Sequence, residues 1–374
     1  MVMSTQPRWL AMFLGAGLFA TSMGALAEWG LNLPPPVTPI AAEILDLHNL
    51  IMLICLIIFI VVFSFMFYSV YAHRKSKGFK AAQFHESTTV EIVWTIIPFL
   101  ILVGMAIPST ATLIRMEDTT DADLTVKITG YQWKWGYEYM GQDVSFFSNL
   151  ATPADQILNR TSKGEHYLLE VDKPVVLPTN QKVRFLLTAS DVIHSWWVPK
   201  LGVKKDAIPG YINETWTYIS EPGVYRGQCT ELCGKDHGFM PIVVEAKSPE
   251  DFAAWLAEQK QAQAADAEPV ADALDKDELL ARGADVYQNC VACHGTEGKG
   301  VPGIFPAIHG SEVVNGPVEQ HLDVVMNGKP GTAMHPFKNQ LSDLDIAAVI
   351  TYQRNSLGNE NGDVVQPSQV HALR

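Results

Sequence analysis

Cys229-Thr230-Glu231-Leu232-Cys233-Gly234-Lys235-Asp236-His237-Gly238-Phe239-Met240 sets two thiols, a carboxylate, an imidazole and a thioether along one short stretch. Packing alone rarely produces such a density of soft ligands. Thiolate, imidazole and thioether together are the set that selects copper in electron-transfer centres. Two cysteines four apart on a bent loop can aim both sulfurs inward, and Asp191-Val-Ile-His194-Ser-Trp-Trp-Val-Pro199 supplies a second imidazole upstream. Two bridging thiolates would then hold two coppers, with His194 and His237 as terminal ligands and Met240 and the Glu231 carbonyl as weak ones. A disulfide and a structural zinc are the competing readings of Cys229 and Cys233. Zinc would want every ligand strong and tetrahedral, so Met240 and the aromatic surroundings fit copper better. A copper-delivery or thiol-exchange protein would use two Cys and one His, without need of Met240 or of a membrane anchor.

The chain has 374 residues, 48% of them hydrophobic, enough for two or three domains plus membrane segments. Residues 1–27 carry Arg8 before an apolar run and end in Ala25-Leu-Ala27, the pattern of a secretory signal peptide, with an uncleaved anchor as the alternative. Residues of about 50–71 and about 92–113 are uncharged apolar runs of the length a bilayer core requires, and are predicted to be transmembrane helices. Between them, His73-Arg-Lys-Ser-Lys-Gly-Phe-Lys80 is a short basic loop that the positive-inside rule assigns to the cytoplasm. Everything after the second run therefore lies on the opposite side. Pro98 and Pro108 are tolerable within a lipid span.

From 120 to 246 the pattern is short and alternating, as in Val183, Phe185 and Leu187, with turn signals such as Glu221-Pro-Gly223 between the runs. It predicts an antiparallel β-barrel or sandwich. Residues 247–275 are expected to form a short helix, 251–260, and then a linker, 261–273, rich in Ala, Gln and Asp with almost nothing to bury. Residues 276–358 form the next module and 359–374 a tail. Within the module, Cys290-Val-Ala-Cys293-His294 is CxxCH, the motif in which two thiols form thioethers to haem c and the adjacent His ligates iron. The sixth ligand is expected to be Met334, in Gly331-Thr-Ala-Met334-His335-Pro-Phe, with His335 as its rival and Met326 assigned to the core.

Gly130-Tyr-Gln-Trp-Lys-Trp-Gly-Tyr-Glu-Tyr139, Asp206-Ala-Ile-Pro-Gly210 and Met240-Pro-Ile-Val-Val244 join the ligand stretch in a pattern that resembles subunit II of the haem-copper cytochrome c oxidases, over about residues 41–246. The amphipathic helix before CxxCH, the glycine-rich loop after it and the C-terminal helix resemble a small class I cytochrome c. The resemblance implies a multidomain membrane protein with a two-helix transmembrane hairpin, an all-β cupredoxin domain carrying dinuclear CuA, and an all-α class I cytochrome c domain carrying covalent haem c. It further implies that Trp133 is an exposed ring through which electrons reach CuA and that Glu91 lies at the mouth of a proton pathway. Glu231 is implied to offer its side chain to a magnesium ion at a subunit interface.

The formal net charge of −13 argues against nucleic acid and for a basic protein partner. Glu138, Asp191 and Asp206 are candidate docking charges. Neither apolar run has an internal histidine, so this chain cannot hold a dioxygen-reducing site. The expected function is that of subunit II of a proton-pumping cytochrome c oxidase. It would take electrons from cytochrome c or another donor and pass them to a haem-copper subunit I, with subunit III and membrane lipid as further partners. The expected place is a bacterial inner membrane, with both soluble domains on the periplasmic side. A nitric oxide or nitrous oxide reductase component and a membrane-anchored copper-delivery protein are the alternatives.

Overall fold

Two long apolar helices open the chain. In this computed structural model residues 30–80, 83, 85–267, 274–338 and 340–374 are described, so the expected signal segment 1–27 lies outside the described residues. Helix α1, Pro39–Ala72, begins with proline in its first turn, and the Thr38 hydroxyl accepts from the Ala41 N–H at 3.0 Å, which caps it. Helix α2, Thr88–Met116, continues through Pro98 and Pro108. Both run beyond the apolar segments seen in sequence. At about 1.5 Å per residue α1 is about 51 Å long, more than the ~30 Å of a hydrocarbon core, and its first turns carry Glu43, Asp46 and His48. Side chains along both helices, Leu53, Phe59, Phe67 and Ile107 among them, are exposed and suited to lipid.

The β-domain is a pair of five-stranded sheets. Strands β1 Leu124–Tyr131, β2 Lys134–Tyr139 and β3 Val144–Ser148 lead through a single helical turn, α3 Ala154–Ile157, to β4 Val175–Pro178 and β5 Lys182–Ala189. Then follow β6 His194–Val198, β7 Val203–Ala207, β8 Asn213–Tyr218, β9 Gly223–Cys229 and β10 Pro241–Lys247. The sheet orders are β3-β2-β1-β5-β8 and β4-β10-β9-β6-β7. The expectation of a wholly antiparallel domain needs correction, because β1 pairs with β5 and β4 with β10 in parallel. Alternation does the folding: Val183, Phe185, Leu187 and Ala189 point inward along β5 while the residues between them stay half-exposed. They meet Trp135, Tyr137, Tyr139 and Trp196, all fully buried. Each such ring contributes about 1.5–3 kcal/mol or more on burial.

The domain is tied to its anchor. The Thr38 hydroxyl donates to the Leu201 carbonyl at 2.9 Å, and the Trp216 indole N–H donates to the Arg115 carbonyl at 3.1 Å. Gly202 is required here, since a Cβ would come within 2.9 Å of Ala41 Cα and its φ is +67°.

Helix α4, Pro249–Ala267, overturns part of the expected linker. Residues 261–267 are helical, because Ala-rich sequence favours helix wherever one end is already anchored. Phe252 and Trp255 provide the anchor, the latter packing on Tyr139 at 5.3 Å, and the Gln263 amide bonds the backbone of Ser145 in β3 in both directions. The rest of the expected linker, 268–273, lies outside the described residues.

The C-terminal module comprises α5 Lys276–Val286, α6 Gln288–His294, α7 Glu312–Asn315, α8 Val318–Asn327, α9 Asp343–Asn355 and α10 Pro367–His371. Helices α5 and α9 cross at Gly283, where a Cβ would sit 2.6 Å from that of Tyr352. Met326 is 1% exposed in α8, in the core as expected. The predicted tail is instead part of the module. Val365 and Val370 are buried, and Asp363 forms a 2.6 Å ion pair with the nearly buried Arg354. Pro35–Arg374 is one compact unit.

Candidate metal centre and haem site

Sheet register brings the soft ligands together. His194 opens β6 and Cys229 closes β9, and Trp196 pairs with Cys229 across the two strands. The chain then loops through Cys233 and a tight turn at His237–Phe239 to Met240, just before β10. Cys229 Sγ lies 3.9 Å from His194 Nδ1, 3.9 Å from Cys233 Sγ and 3.4 Å from the Glu231 carbonyl oxygen. Cys233 Sγ lies 3.4 Å from His237 Nδ1 and 3.6 Å from Met240 Sδ. His194 is 0% exposed, Cys229 and Cys233 3%, and Met240 1%.

At 3.9 Å the two sulfurs are free thiols and not joined as a disulfide, whose bond is about 2.05 Å. It is instead short enough for one ion, at metal–thiolate bonds of about 2.3 Å, to touch both sulfurs. The donor set fits two bridging thiolates, two imidazoles, a thioether and a carbonyl. All six expected ligands, His194, Cys229, Glu231, Cys233, His237 and Met240, meet in one chain of short contacts. Glu231 contributes through its backbone, since the residue itself is exposed. Among the described residues, His194, Cys229 and Cys233 form the one cluster of three or more His, Cys or acidic ligand atoms.

The electrostatics favour one charged sulfur of the pair. A hydrogen bond shared with Cys233 pulls the Cys229 thiol well below its ordinary value, and the same bond pushes Cys233 up. Burial pulls His194 down, but hydrogen bonds to Asp191 and Cys229 outweigh it and its net shift is upward. Asp191 Oδ1 meets His194 Nε2 at 2.9 Å, which leaves Nδ1 facing Cys229. Asp191 also accepts the backbone N–H groups of Val192 and Gln132, at 2.7 and 2.8 Å. Burial pushes its carboxyl up, but these bonds win and it stays below the usual carboxylate range. The sequence suggested a docking charge here. The Asp-x-x-His spacing was the available signal for a positioning role. Glu138 and Asp206, the other two docking candidates, are paired with Lys127 at 3.1 Å and Lys204 at 3.6 Å.

Gly130 is dictated by His194, whose ring would lie 2.7 Å from a Cβ there. Trp133 and Gln132 both donate to the Cys233 carbonyl, at 3.2 and 2.7 Å. Trp133 was expected to be exposed, but it is 5% exposed. Its ring packs edge-on to Phe305 of the C-terminal module at 5.9 Å. Sequence reasoning could not see this, because the covering residue lies far along the chain.

The haem-attachment motif sits on α6. Cys290 and Cys293 are free and half-buried. His294 Nδ1 donates to the Pro306 carbonyl at 2.9 Å, so Nε2 is the nitrogen left to bind iron. Burial lowers this imidazole, a shift toward the neutral form that a ligand needs. Met334 is half-buried against the module core, while the His335 ring packs between Tyr131 and Phe337, at 4.5 and 4.4 Å. Two thiols on one helix beside an imidazole with one open nitrogen fit a covalently attached haem. Glu91, in the first turn of α2, is exposed.

Known proteins resemble this chain over both its helical anchor and its β-domain. The family model for the periplasmic domain of cytochrome c oxidase subunit II matches residues 124–247, and the model for its transmembrane domain matches 26–112. A probable cytochrome c oxidase subunit 2 of Rickettsia bellii is 43% identical over 237 residues, which are 63% of this chain and 86% of that relative. This chain belongs to the cytochrome c oxidase subunit II family. Cytochrome c oxidase subunit 2 of Phytophthora megasperma is likewise 43% identical, over 63% of this chain and 89% of its own length. The crystal structure of the periplasmic domain of subunit II from Bradyrhizobium japonicum is 42% identical, with a TM-score of 0.35, over 38% of this chain and 97% of that one. Residues 278–352 match a further family model, cytochrome c oxidase, cbb3-type, subunit III. The subunit II chain is thus a membrane-anchored part of an oxidoreductase complex, with a CuA copper domain and an added haem c module.

Proposed function

We propose that this chain is subunit II of a proton-pumping cytochrome c oxidase in a bacterial inner membrane, with both soluble domains on the periplasmic side. It takes electrons from a reduced soluble donor and delivers them to a haem-copper subunit I that reduces dioxygen to water, with subunit III alongside. His194, Cys229, the Glu231 carbonyl, Cys233, His237 and Met240 hold the copper pair. Cys290, Cys293, His294 and Met334 hold the haem. When bound, both groups supply one-electron redox chemistry without exchange of ligands. The exposed Glu231 side chain is suited to a magnesium ion shared with a partner subunit.

One observation carries the reading. Cys293 Sγ lies 3.7 Å from the Gln132 carbonyl, and the Gln132 side chain bonds the Cys233 carbonyl at 2.7 Å. The haem-attachment helix therefore abuts the copper loop through a single residue, and Trp133 bridges the same gap. Rapid mixing of reduced donor with the oxidised enzyme tests the order of reduction. Haem absorbance should change first and CuA absorbance second. Reduction of CuA ahead of the haem overturns it.

Glu91 heads an otherwise apolar span, and an ionisable group at such a place is a functional candidate. In Glu91→Gln, steady-state oxygen consumption should fall at least ~10-fold, below the range that a positioned proton-transfer group commonly contributes. Electron arrival at CuA should be unchanged. Wild-type turnover across the pH range would leave Glu91 as an interfacial anchor.

A further inference from the structure

Three helices of the C-terminal module meet in a short polar chain that ends on the first thiol of the haem-attachment motif. His321, in α8, and Gln353, in α9, are each 3% exposed. The module core about them is apolar, with Leu322, Val325, Ile346 and Ile350 buried. A polar pair in such a place is costly unless it is hydrogen-bonded. His321 Nε2 and Gln353 Oε1 lie 2.8 Å apart. An amide oxygen only accepts, so the imidazole donates from Nε2. Burial pulls this imidazole down to about 4, so it is neutral at pH 7. The bond turns the other end of the amide, Gln353 Nε2, toward Cys290 Sγ in α6, 3.8 Å away.

The chain has a rigid base. Arg354, the next residue of α9, donates to the Val314 and Gly316 carbonyls at 2.5 and 3.0 Å and pairs with Asp363 at 2.6 Å, which stops α9 from rolling. His321 Nδ1 is buried with no hydrogen-bond partner among the described residues. A buried imidazole is thus kept here at a cost, and the bond it makes serves Gln353. The orientation of the amide also suits what the sulfur becomes. A thiol donates or accepts, whereas a thioether sulfur has no proton and only accepts. With its N–H toward Cys290, Gln353 makes a bond that outlasts attachment. Cys293 Sγ instead lies against a backbone carbonyl, that of Gln132, at 3.7 Å.

We propose that Gln353, its amide held by His321, is a positioning residue that presents Cys290 to a haem vinyl group and then holds the thioether. This rests on the reading of Cys290, Cys293 and His294 as a covalent haem site, and adds what aims the first sulfur. In the step itself the Cys290 S–H adds across the vinyl double bond. Sulfur bonds the inner carbon and the proton goes to the outer one. The S–H bond and the C=C π bond are lost, and nothing is oxidised or reduced overall.

Peptide mass reads the state of each cysteine in the full-length oxidase, purified from membranes, denatured, alkylated and digested. An attached thiol carries haem and a free one carries the alkyl group. Both should be attached in the wild type. In Gln353→Leu, haem-bearing peptide with Cys290 alkylated should rise at least ~10-fold, since misplacing a reacting atom by about 1 Å can cost on the order of 100-fold. The unreacted vinyl stays conjugated with the ring, so the visible band of the reduced haem should move to longer wavelength. A double variant separates positioning from packing. In Cys290→Ala the haem is held by Cys293 alone, and adding Gln353→Leu should not lower its yield further. A further fall overturns the proposal, as does Gln353→Leu with Cys290 attached as in the wild type. If Gln353→Leu does not accumulate, His321→Leu, which leaves the amide free to turn, decides by the same count. Wild-type peptide with both cysteines alkylated and no haem sinks the haem-site reading itself, whereas two intact thioethers in Gln353→Leu sink only the role of Gln353.

Discussion

Cys229→Ser should erase the mixed-valence two-copper resonance and leave the covalent haem spectrum intact. Cys229 Sγ is the hub of the centre, in contact with His194 Nδ1, Cys233 Sγ and the Glu231 carbonyl at 3.9, 3.9 and 3.4 Å. A serine hydroxyl is a hard oxygen that stays protonated at neutral pH, whereas copper in such centres is held by soft thiolate. Loss of an outer-shell partner of a metal ligand already costs about 10–100-fold in affinity or activity, and loss of a bridging ligand should exceed that. Oxygen consumption should therefore fall by at least ~100-fold, the upper end of that range. Most of the haem module's core and all of its expected ligands lie within the module and away from Cys229, so its Soret band should persist. Paramagnetic resonance and metal analysis of the purified variant make the measurement. A variant that retains two coppers with a shared hyperfine pattern would remove Cys229 from the bridge.

Gly283→Val should unfold the haem module well before the copper domain. Helices α5 and α9 touch backbone to backbone at this residue, where even a Cβ would lie 2.6 Å from Tyr352 Cβ and closer still to the Ala348 carbonyl. A branched side chain forces the helices apart, and overpacking of this kind costs about 3 kcal/mol or more from a total of about 5–15 kcal/mol. Each kcal/mol shifts the midpoint of a domain this size by about 4–8 °C, so the haem absorbance transition should drop by roughly 12–24 °C. The copper absorbance should shift far less, because most of the core around the centre, Val126, Trp135, Phe185, Trp196 and Val244 among it, comes from the β-strands, and the haem module reaches it only through a few residues such as Cys293 and Phe305. An unchanged haem transition would show that the α5 and α9 crossing can widen freely.

Much of the site was legible because its chemistry is local in sequence. Cys229, Cys233, His237 and Met240 fall on one loop, and Cys290, Cys293 and His294 on one helical turn, so residue type and spacing alone carry the donor sets. His194 was found by its chemistry and brought into place by the β6 and β9 pairing. Asp191 was noticed and given a different role, because charge is visible in sequence but the partner of that charge is not. Lys134 drew no attention, since the aromatic residues around it held the eye and its partners, Phe337 and Asn289, arrive from the other module.

The two membrane runs, the alternating strands and the ligand stretches were determined by sequence, since each depends on hydrophobic periodicity or on ligand identity over a few neighbouring residues. Only the tertiary structure decided the rest. Residues 261–267 are helix because Gln263 finds Ser145 on the barrel, and the last residues are core because Val365 and Val370 find α9. Trp133 is covered because Phe305, distant in sequence, packs edge-on against it. In each case the deciding free energy comes from surface buried between segments far apart in the chain, and local pattern holds no information about such partners.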